Sequence, residues 1–397
     1  MRKRNRTRRQ FGCQQQVRSE EVWSVAESLM TRALKLEAHG YRCTTCVLLQ
    51  VLYWAAARCV SISAACVSLA QAPGDQTIRD TLRACLPKRP KYLEDRINKA
   101  LTTDLPRAVC RRARRIAIDW HQIPYHGSPL RSVEELRRGQ PREGTSTFHV
   151  YATACIVECG QRFTLAVTRV LKSDSNITVL ERLYRQIEHL DVKTRVLLLD
   201  RQFYTTNVIH WLQQRRIPFV IPVSLRGRKP KPGTKPKGLR ALLKSRPGWS
   251  RHSLRAGKTR VSFSVCICWK MVRHPHRKTV HRKVMLYACW RTRGTPKEIR
   301  DLYRLRFGIE ASYRQLGKYR IRTSSRDPLL RLLFVGLSLL LRNIWVWLHL
   351  IRLARIPGDP TTVQLVLLRL SHLVEILCQP HLHPPPRYSL IPQIGNY

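Results

Sequence analysis

Three acidic residues in this strongly basic sequence occupy positions from which they could act together on a substrate. Asp119 ends the apolar run RRIAID, Asp200 ends TRVLLLD, and Glu310 lies inside LYRLRFGIEASYRQLGKYR. Carboxylate oxygens are the ligands that hard divalent cations such as Mg²⁺ prefer, and these ions keep positions free for phosphate oxygens and water. If the three carboxylates converge, the pattern predicts a two-metal site for phosphodiester chemistry.

Each aspartate also has a simpler interpretation. An Asp that follows a strand is more often a helix cap or a turn former than a metal ligand. An apolar strand that finishes in Asp nevertheless places the carboxylate at the edge of the sheet, where ligands gather in open α/β folds. The occurrence of Asp119 and Asp200 after two such strands, with Glu310 on a following helix, therefore favours a shared site.

The stretch around Glu310 predicts a helix with one reactive face. At about 100° per residue, Tyr303, Arg306, Glu310 and Arg314 fall within about 80° of arc. In the alternative interpretation, Arg306 and Glu310 form an ordinary solvated pair at i, i+4 that contributes only about 0.2 to 0.5 kcal/mol. The apolar segment 329–351 favours the first interpretation, because it would anchor this face against the core.

The overall charge indicates the kind of partner. The chain of 397 residues has 73 basic and 25 acidic side chains, which gives a formal charge of +48 spread from end to end. A charge of this size repels itself unless a polyanion neutralises it, so nucleic acid is the predicted partner. The N-terminal arm MRKRNRTRRQ is then either a solvated tail or a DNA-contacting arm.

The sequence favours a protein of the cytoplasm over an exported or membrane protein. Arg331 and Arg342 interrupt the apolar segment 329–351 and leave an uncharged run of ten residues. A membrane span needs about 18 to 20 residues, so we interpret the segment as a buried helix. The basic arm lacks the apolar stretch of a signal peptide, and 13 cysteines, an odd number, argue against a disulfide framework. We expect a cytoplasmic, nucleoid-associated protein with no membrane partner.

Periodicity divides the chain into five parts and predicts an α/β fold. The central pattern of strand, strand, strand, helix, strand, helix, strand is typical of a mixed sheet flanked by helices. The predicted parts are a helical DNA-binding domain with the basic arm (1–105), the first part of the core (106–223) and a β-rich insertion (224–295). They are followed by the second part of the core with the Glu310 helix (296–355) and a C-terminal helical tail (356–397).

The motifs resemble those of DDE transposases of the insertion sequence four family. Tyr303, Arg306 and Glu310 match its Y-x2-R-x3-E signature, while AIDWHQIPYHG and LLLDRQFY are similar to its first and second Asp motifs, in the same order. The resemblance covers about residues 110–350. It implies a ribonuclease H-like core with a β insertion before the last catalytic Glu. The implied activity is cut-and-paste transposition, with cleavage at the terminal inverted repeats of an insertion sequence and strand transfer into target DNA.

The resemblance also implies roles for individual residues. Asp119, Asp200 and Glu310 would be catalytic and would hold two Mg²⁺ ions, for which Mn²⁺ substitutes. Tyr303 and Arg306 would contact phosphates at the cleaved end. The enzyme would be a polynucleotidyl transferase and endonuclease that works on DNA as a homodimer.

Two positions depart from the family pattern. The family has Lys seven residues after the Glu, where this chain has Gly317. Lys318 and Arg314 are the nearby basic residues that would then make the DNA contact of the family's lysine. The second Asp motif of the family commonly contains Gly two residues after the Asp, and Gln202 replaces it here. This replacement would strain the turn if the position has a positive φ.

A flipped base near the cleaved end would need an aromatic platform. Trp269 and Trp290, both in the predicted insertion, are candidates. No motif selects between them, and core packing is the alternative interpretation of both.

Two other classes of function are also compatible with the sequence. A structural or decayed DNA-binding protein would bind the ends without cleaving them, and its affinity for DNA would be indifferent to Mg²⁺. A nuclease or resolvase of the same fold would cleave DNA without strand transfer, so a paired-end substrate would give no joined product.

Overall fold

The computed structural model describes most of the chain, and the residues it describes are 17–70, 72–128, 134–158, 162–225, 234–273, 279–353 and 368–379. The basic arm and most of the predicted C-terminal tail lie outside these ranges. All of the candidate site residues lie inside them, so the geometry of the site can be followed side chain by side chain.

The N-terminal region is helical, in agreement with its periodicity. The hydroxyl of Thr44 accepts a hydrogen bond from the Val47 N–H, and that of Ser61 accepts one from the Ala64 N–H, so side-chain caps start two of the helices. A π-helical turn, Leu29–Ala33, continues the first helix. The helices are α1 (Ser19–Ser28), α2 (Thr45–Arg58), α3 (Ile62–Ser68), α4 (Asp75–Cys85), α5 (Pro90–Thr102) and α6 (Arg107–Cys110).

The described strands form one nine-stranded sheet with the order β2-β3-β1-β5-β6-β9-β8-β7, in which β4 pairs with β3. β1, β5 and β6 are parallel, and α7 (Asn176–His189) and α8 (Thr206–Gln214) precede β5 and β6. This is the predicted mixed α/β sheet flanked by helices. The strands are β1 (Arg114–Pro124), β2 (Leu136–Arg142), β3 (Thr145–Ile156), β4 (Thr164–Arg169), β5 (Thr194–Leu199), β6 (Phe219–Pro222), β7 (Gly248–Ala256), β8 (Thr259–Arg273) and β9 (Val280–Trp290).

The β-rich insertion continues the central sheet. β9 pairs antiparallel with β6, with Cys289 opposite Val220, and β8 and β7 follow in antiparallel order. The alternating polar and apolar residues of these strands predict their extended conformation. Their hydrogen bonds to β6 join the insertion to the core through a shared ladder.

The helices after the sheet are α9 (Pro296–Arg304), α10 (Phe307–Lys318), α11 (Pro328–Leu348) and α12 (Leu370–Cys378). The single helix expected across the signature is wrong, because the chain turns at Leu305 and Arg306 between α9 and α10. Arg306 keeps helical dihedral angles, so its spacing from Glu310 is preserved.

The apolar segment forms the buried helix that the sequence predicts. Within the described residues, Pro328–Ile351 is long and apolar enough to cross a membrane, yet 94% of its most apolar stretch is buried inside the protein. Arg342 is 3% exposed and donates from Nη1 to the carbonyl of Arg162 at 2.7 Å. Burial lowers the pKa of Arg342 to about 10. The two arginines that interrupt the segment therefore lie within the fold.

Side chains from two helices cover the free edge of β4. Asn98 on α5 donates to the Val167 carbonyl at 3.0 Å and accepts from the Val167 N–H at 2.8 Å. Asn343 on α11 makes the same pair of bonds with Thr164, at 2.8 and 2.9 Å. Each amide thus replaces a neighbouring strand, and the N-terminal helices are fixed to the core at this edge.

Candidate active site

Adjacent parallel strands bring Asp119 and Asp200 together. β1 and β5 are in parallel register with Ile118 opposite Leu199, and each aspartate is the next residue in the sequence. β5 ends before Asp200, whereas β1 continues through Asp119 to Pro124. The two predicted carboxylates are therefore neighbours at the carboxyl end of β5.

The guanidinium of Arg306 lies between all three predicted carboxylates. Its Nη1 donates to Asp119 Oδ2 at 2.7 Å, and its Nη2 donates to Glu310 Oε1 at 2.7 Å and lies 3.7 Å from Asp200 Oδ1. The Arg306 side chain is only 7% exposed. The contact between Arg306 and Glu310 is therefore not the solvated surface pair of the alternative interpretation.

Asp119 is the most buried of the three acids, with a side chain that is 13% exposed. Burial raises its pKa to about 6, although the Arg306 guanidinium and the Trp120 N–H, 2.9 Å from Oδ1, oppose the rise. The charge of Asp200 raises this pKa further. Near neutral pH the carboxylate is mostly ionised, so it requires a cation beside it.

Two tyrosines hold the backbone on which the aspartates are carried. Tyr303 is buried, and its hydroxyl donates to the carbonyl of Leu199 at 3.3 Å. Tyr313 on α10 donates to the carbonyl of Asp119 at 2.7 Å. Sequence reasoning does not single out Tyr313, although it lies three residues after Glu310, on the same side of a helix. The hydroxyl of Tyr303 bonds to backbone here, and its predicted contact with phosphate stays a prediction.

The other predicted DNA contacts lie on the surface of α10. Arg314, Gly317 and Lys318 are exposed. Apart from the backbone of its own helix and its chain neighbours, no heavy atom of the described residues lies within 4 Å of where a Gly317 side chain would begin. The predicted roles of Arg314 and Lys318 stay predictions.

The replacement of the motif glycine by Gln202 causes no backbone strain. Gln202 lies in a 3-10 turn, Arg201–Phe203, and the described residues with positive φ do not include it. Its carbonyl accepts a hydrogen bond from Asn176 Nδ2 at 2.9 Å. The turn after β5 therefore has no need of glycine.

The two tryptophans considered as base platforms take part in packing. Trp269 is half-buried, donates to the Ser245 carbonyl at 3.2 Å and is covered by a guanidinium 4.0 Å from its ring. Trp290 stacks on Phe219. Trp249 is 41% exposed, and its indole N–H donates to the Gly294 carbonyl at 3.0 Å, so its ring is both accessible and oriented.

The three carboxylates have the right chemistry for a hard divalent cation, and one cation, a guanidinium, already lies among them. As the side chains stand, no group of three His, Cys, Asp or Glu residues in the described ranges is spaced to hold a metal ion. A metal held by Asp119, Asp200 and Glu310 therefore requires Arg306 to leave them. The three carboxylates therefore fit a divalent cation once that cation has displaced the Arg306 guanidinium.

Comparison with known proteins gives one family and one related fold. The family described as transposase DDE domain matches residues 111–344, more than half of the chain and the segment that holds the three carboxylates. No curated protein matches significantly. A cryo-EM structure of the piggyBac transposase synaptic complex with hairpin DNA is similar, with a TM-score of 0.50 and 12% identity over 90% of this chain and 77% of that chain. The similarity confirms the predicted ribonuclease H-like α/β fold.

Proposed function

Because the chain belongs to the transposase DDE domain family, we propose that it is a transposase that cleaves DNA at the ends of a mobile element and joins those ends to target DNA. One observation carries this proposal. Arg306 contacts Asp119, Asp200 and Glu310 at once, so the three acids selected from sequence surround a single point. Assignment to the insertion sequence four family within this group is part of the proposal and rests on the signature.

In this proposal Asp119, Asp200 and Glu310 hold two Mg²⁺ ions, for which Mn²⁺ substitutes. When bound, such ions activate the attacking oxygen and stabilise the leaving oxygen of a phosphodiester. Arg306, once released from the carboxylates, presents a planar fork of N–H donors that matches two phosphate oxygens. The Tyr303 and Tyr313 hydroxyls keep the aspartate-bearing strands in place, because each bonds a backbone carbonyl at this edge.

DNA is the proposed partner, as the terminal inverted repeats and as the target. The charge of +48 supports this choice, since each neutralised phosphate releases counterions. We propose that the N-terminal helices and the basic arm discriminate the ends, that a homodimer forms on DNA, and that the protein works in the cytoplasm at the nucleoid.

Alanine substitutions test the catalytic assignment. Asp119→Ala, Asp200→Ala and Glu310→Ala should each abolish nicking of a labelled terminal repeat and leave binding to that DNA largely intact. Asp301→Asn is a matched control, because Asp301 lies on α9 and pairs only with Arg300 and Arg304 among the described residues. A substituted protein that nicks at the wild-type rate removes that residue from the site.

Arg306→Lys tests the phosphate clamp. Lysine keeps the charge but cannot make the bidentate contact, so the cleavage or joining rate should fall about tenfold or more, equivalent to ~1.4 kcal/mol. Rates measured on pre-nicked and on intact DNA ends show whether cleavage or joining is the affected step. Unchanged rates on both substrates would contradict the clamp.

The nature of the products separates the proposal from its alternatives. Binding without any Mg²⁺-dependent cleavage would indicate a structural DNA-binding protein. Cleavage of paired ends without joined product would indicate a nuclease of the same fold.

A further inference from the structure

A cluster of arginines lies past the three carboxylates, at the carboxyl end of β1. A pocket of about 490 Å³ is lined there by Ile123 and Pro124 and by three arginines: Arg320, Arg322 and Arg331. Among the described residues that line it, Glu143 is the one carboxylate, and this residue is exposed. The pocket therefore brings three guanidiniums together with little negative charge to offset them.

The positive charge of this pocket is partly withdrawn from water, and one of its guanidiniums has no partner among the described residues. The guanidinium of Arg320 is half-buried and makes no hydrogen bond or ion pair with any of the described residues. Arg331, which is 9% exposed, donates from Nε to the Ser325 carbonyl at 2.6 Å. Burial lowers the pKa of both arginines, and their mutual repulsion lowers that of Arg320 further. Positive charge withdrawn from water in this way is unfavourable until an anion binds.

A polar atom at the pocket wall is also unsatisfied. His149 lines the pocket, and its Nε2 is buried with no hydrogen-bond partner among the described residues. The ring can donate a hydrogen bond to an anion from this atom. An anion that reaches this atom would therefore satisfy a buried polar group beside the guanidiniums.

The N-terminal helices hold the arginine segment in place. Cys59, between α2 and α3, has its Sγ 3.4 Å from the carbonyl oxygens of Gly317 and Arg320. The N–H of Arg322 donates to the Val60 carbonyl at 3.0 Å. Three contacts to its backbone therefore fix the segment that carries two of the arginines. The pocket is built at the junction of the helical region and the core.

We propose that this pocket binds a phosphate group of the DNA backbone several nucleotides from the cleaved bond. A guanidinium fork matches phosphate oxygens in geometry and charge. Ile123 follows Asp119 by four residues on β1, a distance of about 13 Å, which corresponds to about four base-pair steps measured along the axis of a DNA duplex. The identification of the anion as DNA rests on the proposed function, whereas the anion site rests on the charge and burial of the pocket alone.

Thermal unfolding with inorganic phosphate tests the anion site in the full-length protein. At constant ionic strength, phosphate at about ten times its Kd should raise the Tm of wild type by about 2 °C. Arg320→Gln should lose this increment, and without phosphate it should be at least as stable as wild type, because it removes an unpaired, partly buried charge. Arg185→Gln is the matched control, since Arg185 is exposed on α7, and it should respond as wild type does.

The salt dependence of DNA binding tests the identity of the anion. Loss of one phosphate contact should reduce the slope of log Kd against log salt by about 0.9 in Arg320→Gln and leave it unchanged in Arg185→Gln. Equal protection of wild type and Arg320→Gln by phosphate would overturn the site. If Arg320→Gln loses the protection by phosphate but keeps the wild-type salt slope of DNA binding, the assignment to DNA is overturned and a site for free phosphate remains. If phosphate protects the wild-type protein but the protein never cleaves DNA, the proposed function is refuted and the anion site is not.

Discussion

Replacing Arg306 with glutamine removes the positive charge that three carboxylates share. The contact with Asp119 joins side chains that are 7% and 13% exposed, so this charge-assisted bond should contribute about 2 to 3 kcal/mol. Asp200 and Glu310 are 40% and 44% exposed, and solvent screening limits their contribution to about 0.5 kcal/mol. We therefore expect Arg306→Gln to lower the free energy of unfolding by about 3 kcal/mol in the absence of divalent metal.

Mg²⁺ should stabilise the variant more than it stabilises wild type. In wild type the ion has to displace the guanidinium, whereas in Arg306→Gln the carboxylates repel one another until a cation arrives. If Mg²⁺ recovers half of the lost stability, its Kd should be about tenfold lower in the variant. Thermal unfolding at pH 8, in a chelator and across a Mg²⁺ titration, measures both the loss and the recovery.

Arg300→Gln is the matched control for this experiment. Arg300 lies on α9, six residues before Arg306, and it bonds to Asp301 and to the Trp269 carbonyl, away from the three carboxylates. Its response to Mg²⁺ should equal that of wild type. If Arg306→Gln had the stability and the Mg²⁺ response of wild type, the shared ion pair would be refuted. A loss of stability that Mg²⁺ does not recover would instead refute the metal site.

Three other residues give independent predictions. Asn343→Ala leaves the Thr164 N–H and carbonyl unpaired at a buried edge, so the free energy of unfolding, measured by urea denaturation, should fall by about 3 kcal/mol. Burial lowers the pKa of His149 to about 3, so this histidine stays neutral in the folded state. Its contribution to stability is retained above about pH 6.5 and lost as the pH falls, by about 2 kcal/mol at pH 5, and His149→Phe should flatten this pH profile. Tyr313→Phe loses the bond to the Asp119 carbonyl, and a cleavage assay should show a roughly tenfold lower rate with unchanged DNA binding.

Local sequence patterns are sufficient to select the acids but not to reveal how they are held. Asp119 and Asp200 could be found because each follows a short apolar strand, and Glu310 because it is an acid in a basic helix. The central position of Arg306 depends on contacts 187 residues apart in sequence. No local pattern records such a contact, so spacing alone predicts an i, i+4 pair with Glu310 and nothing more.

The same distinction applies to the fold. Alternation predicts that β8 and β9 are extended, yet only tertiary pairing decides that β9 lies against β6. The sequence also does not predict the interruption between α9 and α10, since Leu305 and Arg306 are both good helix formers. The side chain of Arg306 is drawn toward Asp119, and the break occurs where that contact is made.

The covered edge of β4 has a consequence for the order in which the chain is made. Asn98 precedes its partner in β4 by 69 residues, so it has left the ribosome first, whereas Asn343 follows Thr164 by 179 residues. At about 5 to 20 residues per second, synthesis takes about 10 to 35 s to reach Asn343. Throughout that interval the nascent chain carries an uncovered strand edge, which is a template for pairing with another chain. The yield of native protein should therefore depend on the speed of translation and on chaperones that shield the half-made sheet.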